Sequence, residues 1–210
     1  DQLIAGYPVP DGVDLEIGGT VEDQGDAFSD LGVLFILIVI LVYIVMATQF
    51  ESLKFPFIIM FTIPFAFTGV FLALWMTSTP LSLIALIGAI MLVGIVTKNG
   101  IVMVDYMNLL VERGSGVFDA VIAGGKSRLR PVLMTSFTTI LGMLPLAIGT
   151  GVGSETWQPM GIAVIGGLTF STLLTLFIIP ALYSVFVNRS QRKEKEKLAR
   201  LAAAHQASSH

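Results

Sequence analysis

Charge is missing from this chain over two long stretches, and that absence constrains the fold more than any other feature. No Asp, Glu, Lys or Arg falls between Asp30 and Glu51, and none falls between Lys54 and Lys98. About 20 predominantly apolar residues in succession is the length that crosses a bilayer as a helix. Charged residues are 13% of the whole chain and hydrophobic ones 54%, against ~25% charged in an ordinary soluble domain. The deficit is uneven, with long apolar runs alternating with short charged ones. That pattern describes several membrane spans and not one soluble core, so the expected class is an all-α polytopic membrane protein.

Five spans follow from the runs. Leu31 to Met46, extending to Gln49, is the first. The stretch after Lys54 is too long for one helix, and Thr77-Ser78-Thr79-Pro80 divides it as a turn signal. The second span is therefore 57–76 and the third 81–110. The fourth is placed at 131–150, because Pro131 suits a first helical turn that needs no amide donor. Gly151, Gly153 and Ser154 mark a loop over 151–159, and the fifth span is 160–187. Residues 50–56 read as an interfacial link, 111–130 as a loop and 188–210 as a basic tail. The opening segment, 1–30, carries Pro-Val-Pro-Asp-Gly and the alternating run Val13-Asp14-Leu15-Glu16-Ile17. It reads as a short β-type remnant, the last strand of an external domain. It is too short to fold alone. The chain starts at Asp1 with no basic leader, which reads as a cut.

Basic residues set the orientation. The first thirty residues hold eight acids and no Lys or Arg. Lys54, Arg113, Lys126, Arg128, Arg130 and the tail residues Arg189 to Arg200 all fall on one side if the span count is odd. The N-terminal segment is then external and the C-terminus cytoplasmic. The basic tail reads as a topology anchor, not as a nucleic-acid site.

Lys98 is the outlier. It stands deep in the third span, where a lysine costs about 2.5–3.5 kcal/mol even on the lenient insertion scale. It needs a carboxylate or a wet cavity. Asp105 lies two turns away on the same face, ~10.5 Å along the axis, too far for a direct pair. The counter-ion is therefore expected outside this chain. Thr97 and Asn99 flank Lys98 with neutral polar groups, and the fourth span carries Thr135, Ser136, Thr138 and Thr139. Those hydroxyls are equally expected as helix–helix contacts. Glycines recur through spans three to five and suit a tight multi-helix seam. There is no cysteine, so thiol catalysis and zinc–thiolate sites are excluded. There is no phosphate-binding loop and no nucleophile–base pair, so transport work has to draw on an ion gradient. No cofactor and no metal site is expected.

These residues resemble a known family. Thr97-Lys98-Asn99-Gly100-Ile101-Val102 is similar to the Lys-Asn motif of resistance-nodulation-division (RND) efflux pumps. Arg128-Leu129-Arg130-Pro131-Val132-Leu133-Met134-Thr135-Ser136 resembles the opening of their eleventh helix. Gln49-Phe50-Glu51-Ser52-Leu53 and Gly151-Val152-Gly153-Ser154-Glu155 resemble two of their loops. The likeness covers Val9 to Val187. It implies that the spans are helices eight to twelve of a twelve-helix permease of the bacterial inner membrane, with residues before Asp30 ending its periplasmic porter region. It implies proton-driven efflux and a relay containing Lys98, Asn99, Thr135 and Arg128. In the family the lysine pairs with two adjacent aspartates on the fourth helix, which this chain lacks. The Lys-Asn pair favours the branch that exports hydrophobic and amphiphilic compounds. Implied partners are the N-terminal half of the same permease, two further copies in a homotrimer, a periplasmic adaptor, an outer-membrane channel and the lipid bilayer. A related protein-export factor and a truncated remnant are the alternatives. The discriminating expectation lies upstream of Asp1: an apolar helix with two adjacent aspartates. Reading the genomic sequence checks it, and a start codon immediately before Asp1 would favour the remnant.

Overall fold

A computed structural model describes residues 20–149, 151 and 153–207, with side-chain surroundings given within 24–188. Among the described residues six helices follow one another: α1 Thr20–Phe50, α2 Lys54–Met60, α3 Ile63–Met76, α4 Leu83–Glu112, α5 Val117–Ile148 and α6 Ser154–Ala207. They make five apolar spans, because α2 and α3 together form one, Lys54–Met76. The architecture is the all-α membrane bundle expected. Every backbone polar group in hydrocarbon must be satisfied within its own segment, and helices achieve that.

Each departure from the expected boundaries has a local cause. Thr20 to Asp30 is helical and belongs to α1, where the sequence suggests the end of an external strand. The alternating run Val13–Ile17 lies outside the described residues. The expected second span is interrupted at Phe61–Thr62. Pro64, near the N-terminus of α3, has no amide for the α2 carbonyl one turn back. Thr62 closes the break by donating its hydroxyl to the Ile59 carbonyl at 2.6 Å.

The expected loop 111–130 is mostly helix. Only Arg113 to Gly116 separates α4 from α5, and Gly114 takes the turn at φ 90°. Val117, Ala120 and Gly124 are buried at helical spacing and pack this segment against the end of α4. Pro131 therefore stands inside α5 and not at its start. Likewise the loop before the last span shrinks to Gly149–Gly153, since α6 begins at Ser154 and runs through Pro159 and Pro180. The tail continues that helix to Ala207.

α4 is central in that it touches every other helix, while α6 packs closely on α3, α4 and α5. Gly69 of α3 meets Gly166, Gly167 and Phe170 of α6, and a Cβ on Gly69 would lie 2.8 Å from the Gly166 carbonyl. A Cβ on Gly167 would collide with Leu92 of α4 and Val70 of α3. Two apolar cores result. One holds Val70, Leu74, Ala89, Leu92, Val96 and Leu168. The other, nearer the basic end, holds Met46, Ile59, Met103, Met107, Ile179 and Tyr183. Trp75 and Trp157 are exposed at the opposite end, where aromatic residues mark a membrane interface.

The glycine seam makes a testable difference. Gly167→Val is expected to destabilise the bundle by about 1–3 kcal/mol through overpacking. Gly142→Ala, at a position with open space, is expected to be neutral. Thermal unfolding of the two variants in detergent measures both.

Candidate functional site

Lys98 stands at the middle of α4. It is ~22 Å from Leu83 and ~21 Å from Glu112 along the axis. Most of α4 is enclosed, yet Ile87, Met91, Gly94, Lys98, Asp105 and Leu109 are all exposed. Their spacings of three, four and seven put them on one face. The central helix thus has one bare stripe, and its lysine is on it.

α1 forms the other wall of this opening. Leu41, Val42, Val45 and Met46 of α1 face Gly94, Thr97, Lys98, Ile101 and Val102 of α4 across a groove of ≈ 270 Å³. Apart from Lys98 and Thr97 the lining is apolar. Toward the basic end the same crevice becomes polar, in a hollow of ≈ 260 Å³ that includes Gln49, Glu51, Asp105, Asn108 and Glu112. Among the described residues Lys98 makes no hydrogen bond and no ion pair. At that depth in a bilayer an ammonium needs a carboxylate or water beside it.

The polar neighbours of Lys98 do not bond to it. Successive helical residues are turned by 100°, and Asn99 is buried on the core side with 9% of its surface exposed. Thr97 is buried too, and its hydroxyl donates to the Val93 carbonyl of its own helix at 2.6 Å. Thr135 is exposed on α5 and bonds back to the Pro131 and Val132 carbonyls at 3.2 and 3.0 Å. Thr138 and Thr139 do the same to Met134 and Thr135. Arg128 is half-buried, with its guanidinium carbon 4.5 Å from the centre of the Tyr106 ring. Its Nε is fully buried without a hydrogen-bond partner among the described residues. No hydrogen bond or ion pair among the described residues joins any two of Lys98, Asn99, Thr135 and Arg128.

Other polar residues do meet. Ser136 of α5 and Thr172 of α6 share a buried hydrogen bond at 2.9 Å. Tyr183 of α6 stacks on Phe55 of α2 at 5.8 Å and donates its hydroxyl to the Asn108 carboxamide oxygen of α4 at 2.7 Å. Ser171, Thr172 and Thr175 are buried on α6, and Thr97 and Asn99 on α4. They form a polar layer between the two apolar cores, since Val96 belongs to the first and Met103 to the second. Ser136 was visible in sequence as one hydroxyl among four. Its partner was not, because nothing local links residues 36 positions apart.

The Ser136–Thr172 bond predicts coupled losses. Each of Ser136→Ala and Thr172→Val is expected to cost ~0.6 kcal/mol and at most ~2. The double variant is expected to cost no more than one of them, because the singles remove the same bond. A double-mutant cycle on unfolding in detergent reads this directly.

Comparison with known proteins agrees across the chain. A family model described as the AcrB/AcrD/AcrF family matches residues 1–187. The swarming motility protein SwrC of Bacillus subtilis (strain 168) is 38% identical over 185 residues, covering 88% of this chain and 18% of that protein. The cobalt-zinc-cadmium resistance protein CzcA of Cupriavidus metallidurans is 38% identical over 188 residues, covering 90% of this chain and 17% of that protein. The multidrug resistance protein MdtC of Yersinia enterocolitica is 40% identical over 194 residues, covering 92% and 19%. A crystal structure of a heavy metal efflux pump superposes with TM-score 0.73 at 33% identity, covering 81% of this chain and 17% of that one. The chain therefore spans less than a fifth of the length of each of these relatives.

Proposed function

The chain belongs to the AcrB/AcrD/AcrF family of RND permeases, and from that premise we propose that it supplies the lysine half of a proton switch in an efflux permease. One observation carries the reading. Lys98 is a mid-membrane cation, on the one bare face of the central helix, with no counter-ion among the described residues. A helix from elsewhere in the full-length protein docks on that stripe and brings the carboxylates. While they are ionised, they pair with Lys98 in low dielectric. Protonating them removes the attraction and frees α4 to shift.

The energy available is sufficient for such a shift. A proton moving inward releases ~2.3 kcal/mol per 100 mV and ~1.4 kcal/mol per unit of pH difference. Asn99 makes no bond to the lysine and acts from the buried face of the same helix. Thr135 and Arg128 act from α5. The positive-inside rule puts the end with Lys54, Arg113 and Lys126 in the cytoplasm and the Trp75 end in the periplasm. The permease works in the inner membrane as a homotrimer with a periplasmic adaptor and an outer-membrane channel.

The cargo in this reading is hydrophobic or amphiphilic. A second reading, export of divalent metal cations, is favoured by the similarity to the cobalt-zinc-cadmium resistance protein and to the heavy metal pump. Accumulation of ethidium and of Zn²⁺ in pump-deficient cells expressing the full-length protein separates the two. In the same assay Lys98→Ala is expected to abolish export of whichever probe the wild type removes, at unchanged membrane abundance. Undiminished export by Lys98→Ala would refute the switch.

A further inference from the structure

Resting on that switch, we propose that Tyr106 is a positioning residue that holds the Arg128 guanidinium against α4. The charge near the basic end of α5 then moves with the helix that carries Lys98. Arg128 lies 20 residues before Ile148, ~30 Å along the helix, at the edge of a hydrocarbon layer of that thickness. A guanidinium there is partly desolvated, and attraction to an aromatic face gains strength on desolvation. The 4.5 Å separation from the Tyr106 ring is within contact range. The Arg128 Nε is buried with no hydrogen-bond partner, and no acid pairs with Arg128 among the described residues. The ring face is therefore the main favourable contact of this charge here.

The packing explains why the ring can reach it. Gly124, one turn before Arg128, lets α5 press on Met107 of α4, so closely that a Cβ at Gly124 would lie 2.6 Å from the Met107 side chain. Tyr106 is the residue beside Met107. It follows Lys98 by eight positions, ~12 Å along the same helix. Its hydroxyl makes no hydrogen bond among the described residues, so the ring and not the hydroxyl carries the contact. Phenylalanine should replace it and leucine should not.

The test uses the full-length permease in proteoliposomes. Collapse of an imposed pH gradient is read with entrapped pyranine, with ethidium and Zn²⁺ both supplied. Tyr106→Phe is expected to turn over like the wild type. Tyr106→Leu is expected to lower turnover roughly tenfold, with the half-saturating probe concentration unchanged. Full activity in Tyr106→Leu, or equal loss in Tyr106→Phe, overturns the proposal. Lys98→Ala runs in parallel. If it is inactive while Tyr106→Leu is normal, only the positioning role falls. If Lys98→Ala is active, or if the wild type collapses the gradient with neither probe, the switch falls and this inference with it.

Discussion

A charge at the centre of an apolar layer has to be compensated, and the arrangement around Lys98 depends on that requirement. The bilayer offers neither water nor counter-ion at that depth. Five spans are packed so that α4 is enclosed on every side but one. The open side holds Lys98, with Asp105 further along it. A lysine buried on the core side would need a carboxylate from α3, α5 or α6. In their described spans those helices carry Asp119 and Glu155, each in the first turn of its helix and so far from the level of Lys98. Exposure on a bare stripe is the arrangement these five spans allow.

Behind the stripe, the packing is divided by polarity. The glycine seam of α3, α4 and α6 brings backbones close enough for Leu92 to meet Gly167. Dispersion over that contact replaces the hydrophobic drive that lipid removes between helices. The Met103 and Tyr183 core closes the basic end. Between the two cores, the hydroxyls of α6 and the Asn99 side chain lie in a region that is apolar both above and below. Tight apolar packing on both sides holds this layer, and with it the level at which Lys98 emerges.

Hydropathy was enough to find the spans, because a bilayer imposes a length and a polarity on each crossing element whatever its neighbours. Boundaries were harder where tertiary contact extends a helix past the apolar run. Lys126, Arg128 and Arg130 made the start of α5 look like a loop, and Pro131 looked like a helix start. The helix persists because Val117, Ala120 and Gly124 bury one face against α4. Pro64 did have its local effect, since packing on the buried Ile59 and Thr62 beside the break cannot supply the amide that proline lacks. Of the site, the depth of Lys98 in its helix was legible from position alone. That Asn99 turns inward and that Tyr106 underlies Arg128 were not.

The sequence alone determined that this chain is a membrane bundle, how many times it crosses, and that one cation stands where only function or a dedicated partner tolerates it. Those conclusions rest on one-dimensional quantities, run length and charge position, which the bilayer reads directly. The tertiary structure decided which face of α4 stays bare, which hydroxyls find partners across helices and which bond only to their own turn. It also decided that the charged start of α5 is helix. These outcomes depend on which helices touch, and that is set by close approach at glycines such as Gly69, Gly124 and Gly167. The pattern along the chain does not specify which side of one helix meets which side of another. Returned to Lys98, the structure adds where its side chain emerges, in the groove between α1 and α4.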